Sequence, residues 1–206
     1  DLVKNHGFEP AGMTSTATGA PAYPVFADKD GVQLVRCDHP VPHQNHAIVH
    51  TDFLSYLESD LFVFASPHAS AAGRPALTVH PVGNWTPSAI LGGYPSKLGK
   101  SSAVAIEAAF TSLRRSFAAA AEERTRGAST LEGFELTMEA THHGPTSLRA
   151  PVVFVEIGIA PKDWTRDDSI AAANRAALSR IARSTLGPMR CRAISAAICA
   201  NGNCAE

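Results

Sequence analysis

Val152-Val153-Phe154-Val155-Glu156-Ile157 is apolar at every position but one. A strand wetted on one face alternates polar and apolar residues, so a run without alternation suits a central strand covered on both faces. Outward from it, Val32–Arg36, Leu61–Ala65, Ala76–His80 and Phe134–Glu139 are further short apolar or β-branched runs bounded by turn residues. Each is expected to be a strand. From about Ala103 to Arg124, Ile106, Phe110, Leu113 and Phe117 recur at four-three-four spacing, which predicts a helix with one buried stripe. A second helix is expected from about Arg166 to Thr185. Thr165 would cap it, with Asp168 three residues on. Ile170, Ala173, Ala177, Leu178 and Ile181 would form its inner face, and Gly187-Pro188 its stop. Strands interleaved with helices predict an α/β domain, with a mixed, mostly parallel sheet flanked by helices. Residues 10–31, rich in Gly, Pro, Ala, Ser and Thr without period, read as irregular structure.

A chain of 206 residues is long enough for one domain with a real core. We expect a single domain over residues 1–188, with 189–206 set apart as an atypical C-terminal tail. With 45% hydrophobic and 18% charged residues the composition is globular rather than disordered. No apolar run reaches the ~18 residues of a membrane span, and Asp1 to Asn5 lack the charged-then-apolar pattern of a secretion signal. Four cysteines, three of them in the last sixteen residues, suggest reduced thiols rather than a disulfide framework. A net charge of −1 provides no global field for nucleic acid, so any RNA contact must come from a local patch.

The chemistry collects at strand ends. Ser66-Pro67-His68, Thr78-Val79-His80-Pro81 and Thr141-His142-His143-Gly144-Pro145 each end or follow an expected strand, and Glu139 and Glu156 close the last two expected strands. Polar groups gathered beyond strand ends suggest a ligand site. Ten residues, Ser66 to Pro75, link two of these strands, which is short for a parallel crossover. An antiparallel pair would set His68 and His80 at opposite edges, without a common site. Successive strand residues point to opposite faces, so only a turn lets His142 and His143 converge. Imidazoles beside a carboxylate can transfer protons near neutral pH. The same groups can hold zinc, with an open position for water, and the residues alone do not choose between these. Backbone amides around Gly144 are a candidate for holding an oxyanion.

Other groups are weaker. Cys37-x-His39-x3-His43-x2-His46-x3-His50 is interrupted by Pro40 and Pro42 and lacks a second Cys pair, so a solvated loop is expected there; Cys199-x4-Cys204 is weaker still. Lys97, Lys100, Arg114, Arg115, Arg124 and Arg126 cluster at the start and along the exposed side of the first helix. They read first as a solvated face, and second as phosphate contacts if the substrate is RNA. No aromatic interleaving supports stacking on single strands.

Phe64 to Ser70, Arg74 to Asn84, Leu136 to Pro145, and Phe154 to Gly158 with Trp164 occur in an order that resembles the archaeal and plant type of D-aminoacyl-tRNA deacylase. The resemblance covers roughly residues 55–180, and its most specific part is Glu-Ala-Thr-His-His-Gly-Pro together with Leu-Thr-Val-His. It implies a cytoplasmic, zinc-dependent hydrolase of the ester between a D-amino acid and tRNA, with an α/β fold similar to peptidyl-tRNA hydrolase. It also implies no membrane association. A monomer is expected.

The residues that carry over are His68, His80, Glu139, His142, His143 and Glu156. Of these, His143, His142, Glu139 and His68 are expected in catalysis, and His80, His142 and Glu156 as metal ligands. His143 or His142, oriented by Glu139, is the expected base or ligand of a water-activating zinc. Relative to the family pattern the chain lacks an N-terminal strand and a C-terminal portion, and Pro67 and Ile159 replace a usual Arg and Ser. Two alternatives therefore stand beside the deacylase: a non-catalytic fragment with weak RNA binding, and a peptidyl-tRNA hydrolase-like enzyme.

Overall fold

The computed structural model describes residues 7–13, 24–29, 32–37, 59–68, 73–128, 130–158, 160–164, 166–178 and 191–196. The strands are β1 (Glu9–Met13), β2 (Pro24–Ala27), β3 (Gln33–Cys37), β4 (Leu61–Pro67), β5 (Ala76–His80), β6 (Glu135–Met138), β7 (Val152–Ile157) and β8 (Cys191–Ala196). The helices among the described residues are α1 (Ala103–Thr125), the single turn α2 (Pro161–Trp164) and α3 (Asp167–Ala177). All eight strands form one sheet in the order β1-β2-β3-β8-β4-β7-β5-β6. Neighbours pair in parallel from β3 through β8 and β4 to β7, and again from β5 to β6. The β1/β2, β2/β3 and β7/β5 pairs are antiparallel. The mixed α/β sheet flanked by helices agrees with the sequence reading.

Three strands were not anticipated. β1 and β2 lie within the stretch read as irregular. Their Gly and Pro content hides the period-2 signal, and pairing at a sheet edge tolerates both residues, including a register shift between Pro10 and Gly12. β8, from the segment set apart as a tail, lies between β3 and β4.

Alternation divides β4, β5 and β7 into two faces. Val63, Ala65, Leu77, Val79, Val153, Val155 and Ile157 pack into a core with residues of α1 and α3. Phe62, Phe64, Val152 and Phe154 pack on the other side with Val82, Leu148 and Ala150, residues of the loops 81–102 and 139–151. Every residue of β7 is buried, as its unbroken apolar pattern requires.

In α1 the fully buried row is Ala105, Ala109, Leu113, Ser116 and Ala120, one residue round from the expected stripe. Ile106, Phe110 and Phe117 are half-buried beside it. Alanines let the helix approach the sheet closely, and the larger side chains wedge into the sides. Ser102 caps α1, its Oγ accepting from the Ala105 amide at 3.2 Å. α3 starts at Asp167 with Arg166 as N-cap and no side-chain cap bond. Asp168 instead pairs with Arg166 at 2.6 Å and accepts from the Leu131 amide at 2.5 Å, which ties α3 to the loop before β6. Thr165, Ile181 and Gly187-Pro188 lie outside the described residues.

Candidate active site

The sheet face away from the helices carries the site. Ser66, Glu156 and Thr78 stand opposite one another across β4, β7 and β5, and one step along come Phe64, Phe154 and His80. Paired residues share a face, so Glu156 sits between two hydroxyls, beside a row of rings. Phe64 stacks on Phe154 with centroids 4.6 Å apart, Phe154 on His80 at 5.2 Å, and His80 on His142 at 4.2 Å. His143 meets His80 edge-on at 4.9 Å.

Glu156, only 3% exposed, is the hub. Ser66 donates to its Oε1 at 2.6 Å, and His68 Nδ1 lies 3.1 Å from Oε2. His80 Nε2 is 3.6 Å from Oε2, and His143 Nε2 is 4.0 Å from Oε1. Glu139 Oε2 lies 3.7 Å from His68 Nδ1. All six residues expected in the site therefore come together. β4 and β5 do run antiparallel, with β7 between them, yet His68 and His80 are not separated. His80 aligns with Phe154 and Pro67 with Ile157, so both imidazoles lie within side-chain reach of the intervening Glu156. The inference that an antiparallel arrangement would part them is overturned.

His142 and His143 converge for the reason anticipated. His143 has φ 46, a left-handed turn that breaks strand alternation. Its carbonyl accepts from the Gly83 amide at 2.7 Å. Gly144 is packed so closely against Gly92 and Gly93 that an added Cβ would fall 2.6 Å from the Gly92 carbonyl carbon. The Gly144 amide points to the Leu91 carbonyl at 3.4 Å, so it is not a free oxyanion donor and that assignment is withdrawn. Glu139 faces His68 rather than His142 or His143. The expected orienting role of Glu139 on those two rings is also withdrawn, because backbone carbonyls do that work.

The carbonyls fix three tautomers. Nδ1 of His80 lies 2.9 Å from the Pro81 oxygen, that of His142 2.8 Å from Ala140, and that of His143 2.7 Å from Gly144. A carbonyl only accepts, so each Nδ1 carries the proton and each neutral ring keeps its lone pair on Nε2. Among the described residues, His80 Nε2 and Glu139 Oε2 are buried without a hydrogen-bond partner.

Burial, then the neighbouring His80, push the His143 pKa down to about 4, so this ring is neutral near pH 7. Burial alone would lower His68. Its hydrogen bond to Glu156 and the charges of Glu139 and Glu156 outweigh this and raise it above the ordinary imidazole value. Burial likewise works against the charge of Glu156. Hydrogen bonding, above all from His68, overcomes it and holds the carboxyl well below the ordinary range. Since His80 keeps its proton on Nδ1, the donor to Glu156 is His68.

Two sets of metal-compatible donors result: His80, His142 and His143, and His68, Glu139 and Glu156. Within each set one donor atom per residue lies within 4.8 Å of the others. Imidazoles whose second nitrogen is fixed by a carbonyl are what a zinc site requires, and the orphaned His80 Nε2 has the chemistry of a ligand awaiting an electrophile. The residues fit zinc.

Ser66, Thr78 and Asn84 were missed by sequence reasoning. Ser66 follows Phe62 and Phe64 on one face of β4, a period-2 signal that places its hydroxyl in the site. Thr78 Oγ1 is buried without a partner among the described residues. Asn84 donates to the Gly92 and Tyr94 carbonyls and shapes the covering loop. The second histidine group, His39 to His50, lies outside the described residues, as do Cys199 and Cys204. Arg114 and Arg115 are on α1, across the sheet from the site, whereas Lys97 and Lys100 lie on the site's side.

Residues 55–201 match the family model of D-aminoacyl-tRNA deacylase. The D-aminoacyl-tRNA deacylase of Methanococcoides burtonii is 39% identical over 123 residues, 60% of this chain and 23% of that protein. Those of Hyperthermus butylicus and Methanocaldococcus jannaschii are 42% and 36% identical over 52% of this chain, covering 36% and 40% of their own lengths. The chain thus spans well under half the length of these relatives. A crystallised conserved protein of unknown function superposes with a TM-score of 0.66 at 26% identity, over 90% of this chain and 57% of that one.

Proposed function

The chain belongs to the D-aminoacyl-tRNA deacylase family, and from that premise we propose that it hydrolyses the ester linking a D-amino acid to tRNA, releasing both. The observation that carries this is the convergence of His68, His80, His143 and Glu139 on or beside one buried carboxylate, Glu156. Ester hydrolysis needs an activated water, a stabilised oxyanion and a proton for the departing ribose oxygen. His80, His142 and His143 would hold zinc through Nε2, so that His143 replaces Glu156 in the expected ligand set, the Glu156 carboxylate being engaged by Ser66 and His68. Bound zinc supplies Lewis acidity and a water acidic enough to ionise near neutral pH.

The remaining roles fall to the chain itself. Ser66 and His68 hold Glu156 ionised and fixed. His68, its pKa raised by two carboxylates, keeps one proton on Nδ1 toward Glu156 and can carry a second near neutral pH. That second proton suits the leaving oxygen. Glu139, whose side chain is partly exposed, suits contact with the ammonium of the amino acid. Among the described residues no helix is long and apolar enough to cross a membrane. A tRNA substrate supports a cytoplasmic setting.

The test offers D-aminoacyl-, L-aminoacyl- and N-blocked aminoacyl-tRNA to the protein, with zinc or with chelator. D-tyrosyl-tRNA should be hydrolysed with zinc only, and His143→Ala should lower the rate by about 100-fold or more while the circular dichroism spectrum stays native. Preference for the N-blocked substrate would point to a peptidyl-tRNA hydrolase. No metal-dependent hydrolysis of any of the three would point to a non-catalytic fragment.

A further inference from the structure

The loop between β5 and α1 does not hide its apolar residues. Trp85 is 68% exposed, Ile90 77%, Tyr94 44% and Leu98 51%. Such a concentration outside a core marks a binding surface. The loop is held to the site through named bonds. Trp85 Nε1 donates to the carbonyl of Thr141 at 2.8 Å, next in sequence to His142. The Tyr94 amide donates to Thr146 Oγ1 at 2.8 Å, and Gly99 accepts no Cβ without meeting Val82 and Pro145. With Nε1 occupied by the protein, what Trp85 has left to offer a ligand is its ring face.

Charge narrows the occupant. No acidic residue occurs between Asp60 and Glu107, nor between Glu139 and Glu156, so Glu139 at the start of the second loop is the one carboxylate in the two loops covering the site. They carry Lys97, Lys100 and Arg149, all exposed, and the Lys97 ammonium lies 5.0 Å from the Tyr94 ring centroid. In a chain whose net charge is −1, this is a local positive field set among aromatic rings. Stacked bases and neutralised phosphates are what single-stranded nucleic acid needs; the sequence reading found no aromatic interleaving, but the fold exposes Trp85 and Tyr94 beside Lys97 and corrects it.

We infer that the loop 84–100 is the platform for the unpaired 3′ end of the RNA. Bases stack on Trp85 and Tyr94, and Lys97, Lys100 and Arg149 meet the phosphates. The aminoacyl ester is thereby led past Thr141 to His142 and Glu139. The inference rests on the proposed RNA substrate and identifies how the same site would take it.

The test is a binding measurement that does not depend on catalysis. An RNA hairpin with a short unpaired 3′ end, carrying no amino acid, is titrated against the protein, with the blunt hairpin as comparison. In a Trp164→Phe background Trp85 is the remaining indole, and its fluorescence should be quenched by the tailed hairpin only. Trp85→Ala and Tyr94→Leu should each weaken binding by on the order of 5- to 100-fold, and Trp85→Phe should restore most of it. The double variant Lys97→Ala/Lys100→Ala should reduce the salt slope by about 1.4. Equal affinity for tailed and blunt hairpins, or wild-type affinity in both aromatic variants, overturns the platform. So does self-association that Trp85→Ala abolishes while RNA leaves the fluorescence unchanged, since the patch would then join two copies of the chain. Deacylation that survives both aromatic variants with unchanged KM refutes the platform and leaves the enzyme standing. Tail-specific binding without hydrolysis does the reverse.

Discussion

Acidifying the metal-free protein should destabilise it through one buried ring. His143 is 6% exposed, and its pKa falls from the ordinary 6.5 to about 4. Between these values the unfolded chain binds a proton that the native state refuses, so stability rises with pH across that window and is lost as pH falls through it. At 1.36 kcal/mol per pH unit, the full window is worth about 3 kcal/mol, and the step from pH 7 to pH 5 about 2 kcal/mol. His68 acts in the opposite sense. Its raised pKa contributes stability that is complete below the ordinary imidazole value and fades as pH climbs through the folded one, so the wild-type slope alone is blunted. Comparison with His143→Asn isolates the effect. Asparagine tolerates the left-handed φ of 46, does not titrate, and its amide can donate toward the Gly144 carbonyl as Nδ1 does. Urea unfolding in chelator at pH 5, 6 and 7 should show wild type losing about 2 kcal/mol more than the variant over that range. Parallel stability-pH curves would refute the assignment of His143 as a buried neutral ring.

Gly144→Ala should cost about 1–3 kcal/mol in thermal or urea unfolding, because its Cβ would press on Gly92 and Gly93 backbone, which no side-chain rotation relieves. Unchanged stability would show that the two loops are not in contact. Glu156→Ala removes the acceptor of two bonds, from Ser66 and His68, and leaves a buried imidazole unpaired. The expected loss is about 3–5 kcal/mol in chelator, against under about 1 kcal/mol for Arg74→Ala, whose 2.7 Å pair with Glu135 is exposed. Similar losses in the two variants would deny Glu156 its role as hub.

Local chemistry along the chain already contained the covered strand Val152–Ile157, the strand Ala76–His80, a long first helix and the six side chains of the site. Hydrophobic spacing and residue type are properties of short segments, and short segments can be read one at a time. Only the folded sheet decided the neighbours. Nothing near Ser66 or Pro75 says that β7 will lie between β4 and β5, yet this insertion lets two imidazoles on antiparallel strands meet at Glu156. Nothing within Cys191–Ala196 marks it for a place between β3 and β4. The proton positions were equally out of reach, since the Pro81, Ala140 and Gly144 carbonyls that leave three Nε2 atoms free are aimed by backbone angles such as the left-handed turn at His143. Partner choice and backbone direction depend on contacts between residues far apart in the chain, and those are properties of the assembled sheet.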